Sequence, residues 1–238
     1  MTPDGSVPSP ADSIGYGPYP QEGQLWFGFP RGTDVSATAG PEPFSIAADF
    51  VAMALGDLSI GSPTLVNASG GGTDGWRNLT YQQMTQALEN GEAMQEQLAH
   101  INTDNPDLSA FRNRGGKMLM YHGLADQAIV PGGSIIYYQR VLDTMGGPAA
   151  VQEFFRFYLV PGMGHAFANG TANPDAQPPI PDHARLYQSL TDWVENGVAP
   201  GHYEAPSPDS ALPEVPLCLY PARYTTTGSG TGIDIGCA

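Results

Sequence analysis

The sequence predicts an α/β fold in which the tail of a parallel sheet follows a loop-rich segment. Beyond residue 105, two compact apolar runs alternate with two amphipathic helical patterns. Strand, helix, strand, helix in that order is the pattern of a parallel sheet with covering helices. Ahead of residue 105 the chain is broken by turn-forming residues. It holds 30 glycines and 23 prolines in 238 residues, and eight of the prolines fall within residues 1–44.

Each element has its own local reason. Residues 1–44 carry prolines too closely spaced for a long helix, with Tyr16, Tyr19, Trp26, Phe27 and Phe29 scattered among them. Phe44 to Leu58 is a first helix, with Ile46, Phe50, Val51, Met53, Ala54 and Leu55 on a mixed apolar face. Residues 59–79 form a Gly- and Ser-rich loop containing Trp76. Thr80-Tyr81-Gln82-Gln83 fits a capping box, which opens a helix striped by Met84, Leu88, Met94 and Leu98. Pro106 to Phe111 reads as a helical turn ended by Gly115-Gly116. Lys117 to His122 is a buried strand closed by Gly123. Ser134 to Met145 is a helix, with Ser134 suited to its cap. Val151 to Val160 is a second strand. Ala184 to Glu195 is a helix with Leu186, Leu190, Trp193 and Val194 at helical spacing.

Composition excludes several classes of function. Nine basic residues stand against 24 acidic ones, a formal charge of −15, and Lys117 is the single lysine. Such a chain lacks the basic face that a nucleic acid or an anionic membrane surface requires. No run of about 18 apolar residues exists to span a bilayer. Met1 to Pro10 is polar and proline-rich, so no signal peptide is expected in the sequence shown.

The chemistry-bearing residues fall at the two strand exits, where open α/β sheets bind ligands. His122-Gly123-Leu124-Ala125-Asp126 follows the first strand, and Pro161-Gly162-Met163-Gly164-His165 follows the second. An acid and then a histidine at successive exits is the chain order of an α/β-hydrolase triad, whose serine comes first. The carboxylate would hold one imidazole nitrogen while the other takes a proton from a serine hydroxyl. Read singly, Asp126 equally suits a cap of the turn before Pro131, and His165 an exposed loop histidine. His122 reads as a strand-end histidine packed or bonded to backbone. His100, His183 and His202 show no metal-ligand spacing.

Longer motifs add a resemblance. Asp104-Asn105-Pro106-Asp107-Leu108-Ser109-Ala110-Phe111-Arg112, Tyr121 to Asp126, Phe154-Phe155-Arg156, Val160 to His165, Trp193 to Pro200 and Pro216-Leu217-Cys218-Leu219-Tyr220-Pro221 closely resemble the tannase and feruloyl esterase family. The close matches cover residues 104–238. The resemblance implies the C-terminal part of an α/β-hydrolase parallel sheet (residues 105–238) preceded by a lid-like, loop- and helix-rich segment (residues 1–104). It implies a serine carboxylic ester hydrolase acting on esters of aromatic acids, with Asp126 as triad acid and His165 as general base. It also implies a Cys218–Cys237 disulfide and a secreted or periplasmic location. Trp26 and Trp76 would line the aromatic pocket or, alternatively, the lid's own small core. Ile129 would lie near the acyl site.

The sequence departs from that family in places. No Gly-x-Ser-x-Gly elbow occurs: Ser59, Ser69 and Ser134 all lie in other contexts. Ala166 follows His165 where relatives carry a cysteine, and Leu124 stands where many have an aromatic residue. The lid of many relatives binds calcium, but no matching acidic loop is found and no cofactor is expected. The expected partner is a small aromatic ester. A further chain or segment would supply the serine, or the chain would self-associate through an unpaired sheet edge. The rival expectation is a truncated, non-catalytic member that binds aromatic ligands or serves in assembly.

Overall fold

The computed structural model of the chain describes residues 28–63, 71–94, 96–98, 103–207, 213–228 and 234–238. These belong to two compact units, one within residues 35–104, the other comprising residues 28–34 and 105–238.

The first unit is built on α1 (Ser45–Leu55) and α2 (Tyr81–Ala93). Helix α1 stops three residues short of the expected end. Gly56 turns into the left-handed region at φ 66° and its N–H donates to the carbonyls of Ala52 and Met53. The capping box at Thr80 is present: its hydroxyl accepts from the N–H of Gln83, whose side chain accepts from the N–H of Thr80. The buried face of α2 differs from the expected methionine and leucine stripe. Ala87 and Gly91 are buried instead, and Met84 is exposed. The reason is Phe50: a Cβ at position 91 would lie 2.6 Å from its ring. Small residues let α1 and α2 approach, which turns the larger side chains aside.

The second unit carries the sheet. A short helix α3 (Ser109–Asn113) leads into strand β1 (Met118–Gly123). Then come α4 (Pro131–Met145), α5 (Pro148–Val151), β2 (Phe155–Val160) and α6 (His183–Asn196). Two small antiparallel pairs follow, β3 (Tyr203–Ala205) with β4 (Val215–Leu217) and β5 (Tyr224–Thr227) with β6 (Asp234–Cys237). Helix α4 begins a turn earlier than expected because Pro131 takes its first position, where the fixed φ suits a helix and the missing N–H costs nothing. Ser134 therefore lies inside the first turn, not at the cap. The second strand is shorter than expected because Pro148 starts a helical turn that absorbs Val151.

Strands β1 and β2 pair in parallel from Met118↔Phe155 to Gly123↔Val160. Alternation along each strand sends side chains to opposite faces. Phe155, Phe157 and Leu159 of β2, with Met118 and Met120 of β1, pack under Ile135, Tyr138, Val141 and Met145 of α4. Tyr158 and Val160, with Leu119 and Tyr121, pack under Leu186 of α6 and against Tyr203, Ala205 and Leu217. Tyr138 is fully buried; its ring meets Phe155 edge-on at 4.9 Å and its hydroxyl donates to the Phe155 carbonyl. Burial pushes the Tyr158 phenol up to about 12, and its hydroxyl donates to the Gly201 carbonyl.

The implied disulfide is present, joining Cys218 to Cys237. In the chain-entropy model a loop closed over 19 positions contributes about 3 kcal/mol. Replacing both cysteines with serine is expected to lower the unfolding free energy by about that much in urea titrations; an unchanged midpoint would contradict this.

Helix α6 is capped by Asp182, whose carboxylate accepts from the N–H groups of Arg185 and Ala184. The bond from Arg185, foremost, holds the Asp182 carboxyl below the usual carboxylate range. A depressed folded pKa contributes stability above the unfolded value and loses it as pH falls through the folded one. Asp182→Ala should therefore lower Tm at neutral pH, with the gap closing in acid. Thermal melts across pH check this; a gap that widens toward acid would refute it.

Candidate active site

The parallel register brings the ends of β1 and β2 level, and backbone hydrogen bonds lace their exit loops together. The N–H of Leu124 donates to the Val160 carbonyl, and that of Ala125 to the Met163 carbonyl at 3.0 Å. The loop after β2 folds back on itself, with Gly170 N–H donating to the Gly162 carbonyl and Gly164 N–H to that of Ala168. Residues 28–34 support that loop: Asp34 N–H donates to the Gly170 carbonyl, and Ala172 N–H to that of Gly32. Three glycines are needed for so close an approach. A Cβ on Gly123 would collide with the Met163 carbonyl, and one on Gly170 would lie 2.5 Å from the Ala125 oxygen; Gly164 touches Gly170.

Asp126 and His165 meet in this crossing. Asp126 is buried, at 6% exposure. Its Oδ1 accepts from the N–H groups of Ala128 (2.9 Å) and Ile129 (2.8 Å). Its Oδ2 lies 3.1 Å from Nδ1 of His165. The His165 side chain is 53% exposed, and its backbone N–H donates to the Gln127 side chain. An ionised carboxylate only accepts, so Nδ1 carries the proton and Nε2 presents a lone pair on the open side of the ring. A histidine held this way can take a proton from a hydroxyl and return it to a leaving group.

His122 stands on the other side of the same carboxylate. As expected it is bonded to backbone: Nε2 lies 2.8 Å from the Ile129 carbonyl. Nε2 is also 3.5 Å from Asp126 Oδ2, and Nδ1 is 2.7 Å from the Ser134 hydroxyl. His122 shares its face of β1 with Met118 and Met120, but its approach to Asp126 and Ser134 left no local signal in the sequence. Nothing in the sequence pointed to Phe167. Its φ of 56° is unusual for a bulky residue, and its half-exposed ring packs edge-on to His183, which in turn bonds the Tyr121 hydroxyl at 2.7 Å.

Of the other expected residues, Ile129 lends its backbone to the carboxylate, while its side chain is exposed. Trp76 belongs to the helical unit. Its indole N–H donates to Asp74, and the Arg77 guanidinium covers its ring at 4.2 Å, an arrangement that fits the local core better than an open aromatic wall. Trp26 and Ser69 lie outside the described residues. The Ser59 hydroxyl donates to Asp57 at 2.6 Å. Among the described residues no three His, Cys, Asp or Glu side chains converge to hold a metal. No helix among them is long and apolar enough to cross a membrane.

An acid and a histidine joined at consecutive exits of a parallel sheet, with helices on both faces, define the α/β-hydrolase class. The chain belongs to the tannase and feruloyl esterase family, whose model matches residues 69–234. It is similar to the probable feruloyl esterase B-2 of Aspergillus terreus, 34% identical over 173 residues, which cover 67% of this chain and 32% of that protein. It is also similar to feruloyl esterase B of Aspergillus niger, at 32% identity over 60% of this chain and 29% of that protein. The crystal structure of feruloyl esterase B from Aspergillus oryzae superimposes with TM-score 0.63 at 25% identity, covering 96% of this chain and 44% of that one. Tannin acyl hydrolase from Aspergillus niger shares the fold, with TM-score 0.66 at 24% identity over 96% of this chain and 41% of that one. The chain thus spans about a third of the length of these two sequence relatives.

Gly123→Ala should push the two exit loops apart. The expected cost is about 1–3 kcal/mol of stability, the range for overpacking a tight site, together with loss of the His165–Asp126 hydrogen bond. Urea titration and a crystal structure of the variant check both; an unshifted midpoint with the contact intact would refute the close approach.

Proposed function

We propose that this chain supplies the acid and the base of a serine carboxylic ester hydrolase acting on esters of aromatic acids. The observation that carries this is the 3.1 Å contact between His165 Nδ1 and the buried Asp126 carboxylate, whose second oxygen is held by two backbone N–H groups. Asp126 fixes the tautomer of His165 and stabilises the imidazolium that forms. His165 Nε2 takes the proton of a serine hydroxyl as it attacks the ester carbonyl, then delivers that proton to the departing alcohol. A second round with water in place of serine releases the aromatic acid. The names of the relatives, feruloyl esterase and tannin acyl hydrolase, support aromatic acyl groups as the substrate class.

The serine comes from polypeptide outside this sequence. Among the described residues no serine hydroxyl is bonded to His165: that of Ser59 is bound to Asp57 and that of Ser134 faces His122. We place the serine-bearing segment at the second edge of β1, which pairs with β2 alone among the described strands. The disulfide favours an oxidising compartment, hence a secreted or periplasmic protein. Residues 1–104 are assigned to a lid-like segment, and Ile129, exposed beside Asp126, would contact the acyl group.

The test uses the polypeptide or assembly that includes the serine. His165→Ala should lower kcat for methyl ferulate by roughly 10⁴–10⁶-fold with little change in KM, as for other triads. The chain alone should gain no mass on treatment with a fluorophosphonate. Unchanged turnover in the variant would end the assignment. A covalent adduct on Ser134 or Ser59 would relocate the nucleophile into this chain, and no hydrolysis in any assembly would favour a non-catalytic aromatic-binding module.

A further inference from the structure

We propose that His122, fixed by Ser134, is a positioning residue that aims the Asp126 carboxylate at His165. The inference rests on the assignment of Asp126 and His165 above and adds two residues to it.

The hydrogen-bond polarity is determined by chemistry. The Ile129 carbonyl, 2.8 Å from His122 Nε2, can only accept, so Nε2 carries a proton. The same nitrogen also lies 3.5 Å from Asp126 Oδ2, so the positive edge of the ring sits beside the carboxylate while its N–H is bonded to Ile129. In the neutral ring Nδ1 is then the acceptor, and the Ser134 hydroxyl at 2.7 Å is its donor. A serine hydroxyl can rotate to serve this nitrogen in either protonation state, so Ser134 holds the ring without demanding a charge.

The contacts form a closed ring. Ile129 gives its N–H to Asp126 Oδ1 and receives His122 on its carbonyl, while His122 also faces Oδ2. Residues 126–129 are therefore pinned from both ends. Rotation of the carboxylate away from His165 would cost the N–H bonds of Ala128 and Ile129 and would abandon both imidazoles. The fold explains why these groups meet. His122 rises on the α4 face of β1, and Ser134, in the first turn of α4, reaches down to it because Pro131 starts the helix early. The His122 side chain is only 11% exposed and the Asp126 side chain 9%, so neither bond competes much with water. Orienting a first-line ligand through a second hydrogen-bonded group is a general device of preorganised sites.

The experiment reads the tautomer of His165 directly, in the chain as it stands. Two-bond ¹H–¹⁵N correlation spectra of the ¹⁵N-labelled chain, at mildly alkaline pH, distinguish the Nδ1–H from the Nε2–H form. The wild type should show His165 mainly as Nδ1–H, the form that free imidazole side chains do not favour. Asp126→Asn should abolish that preference. Ser134→Ala and His122→Leu should each shift the His165 ratio a few-fold toward Nε2–H, and Ser134→Thr, which keeps the hydroxyl, should restore it. Ser134→Ala raises helix propensity and should leave Tm near wild type, so it decides the matter if His122→Leu fails to fold. An unchanged His165 ratio in folded Ser134→Ala, alongside a shifted one in Asp126→Asn, would overturn the positioning role and leave the assignment of Asp126 and His165 standing. An unchanged ratio in Asp126→Asn would overturn both.

Discussion

The six-residue parallel register of β1 with β2 is the constraint on which the candidate site depends. It sets Gly123 level with Val160, so the two strands end together and their exit loops must cross. The crossing is tight because the Met163 carbonyl sits where a side chain at position 123 would be. Glycines at 123, 164 and 170 make room for it, and main-chain hydrogen bonds, with the Gln127 side chain accepting from His165 N–H, then hold the loops. Slipping the register by one residue would exchange the faces of every side chain in the strand. His122 would leave α4 and Tyr121 would leave α6.

Within that frame the carboxylate of Asp126 is buried yet fully engaged. Burial of a charge is costly unless hydrogen bonds compensate it. Two backbone N–H groups satisfy one oxygen, and two imidazoles face the other. The same bonds that offset desolvation also dictate direction, which makes the pair suited to holding one tautomer of a half-exposed histidine. The contrast between a 9% exposed acid and a 53% exposed base is what general-base work needs: a fixed partner on one side, and access for a reacting hydroxyl on the other.

Much of this was legible in the sequence, for identifiable reasons. Strong local signals were read correctly in type: the apolar runs that became β1 and β2, the Thr80 capping box, and the spacing of Leu186 and Trp193 in α6. Boundaries moved where one residue outweighed the pattern around it, as Gly56 ended α1, Pro131 advanced α4 and Pro148 shortened β2. The α2 stripe was misjudged because tertiary packing chose Ala87 and Gly91 over larger residues, a choice set by Phe50, about forty positions away. Asp126 and His165 stood out because strand exits carry function. The His122–Ser134 pair did not, because Ser134 resembled a cap and hydroxyl partners across a strand–helix gap leave no local pattern.

The central claim is that Asp126 and His165 act on the ester as one unit. The most direct measurement is a double-mutant cycle on kcat/KM for methyl ferulate, in the polypeptide or assembly that carries the serine, with Asp126→Asn, His165→Ala and the two combined. Groups that work together lose their effect together. The double variant is expected to be no slower than His165→Ala alone. Losses that multiply, as for independent sites, would contradict the account.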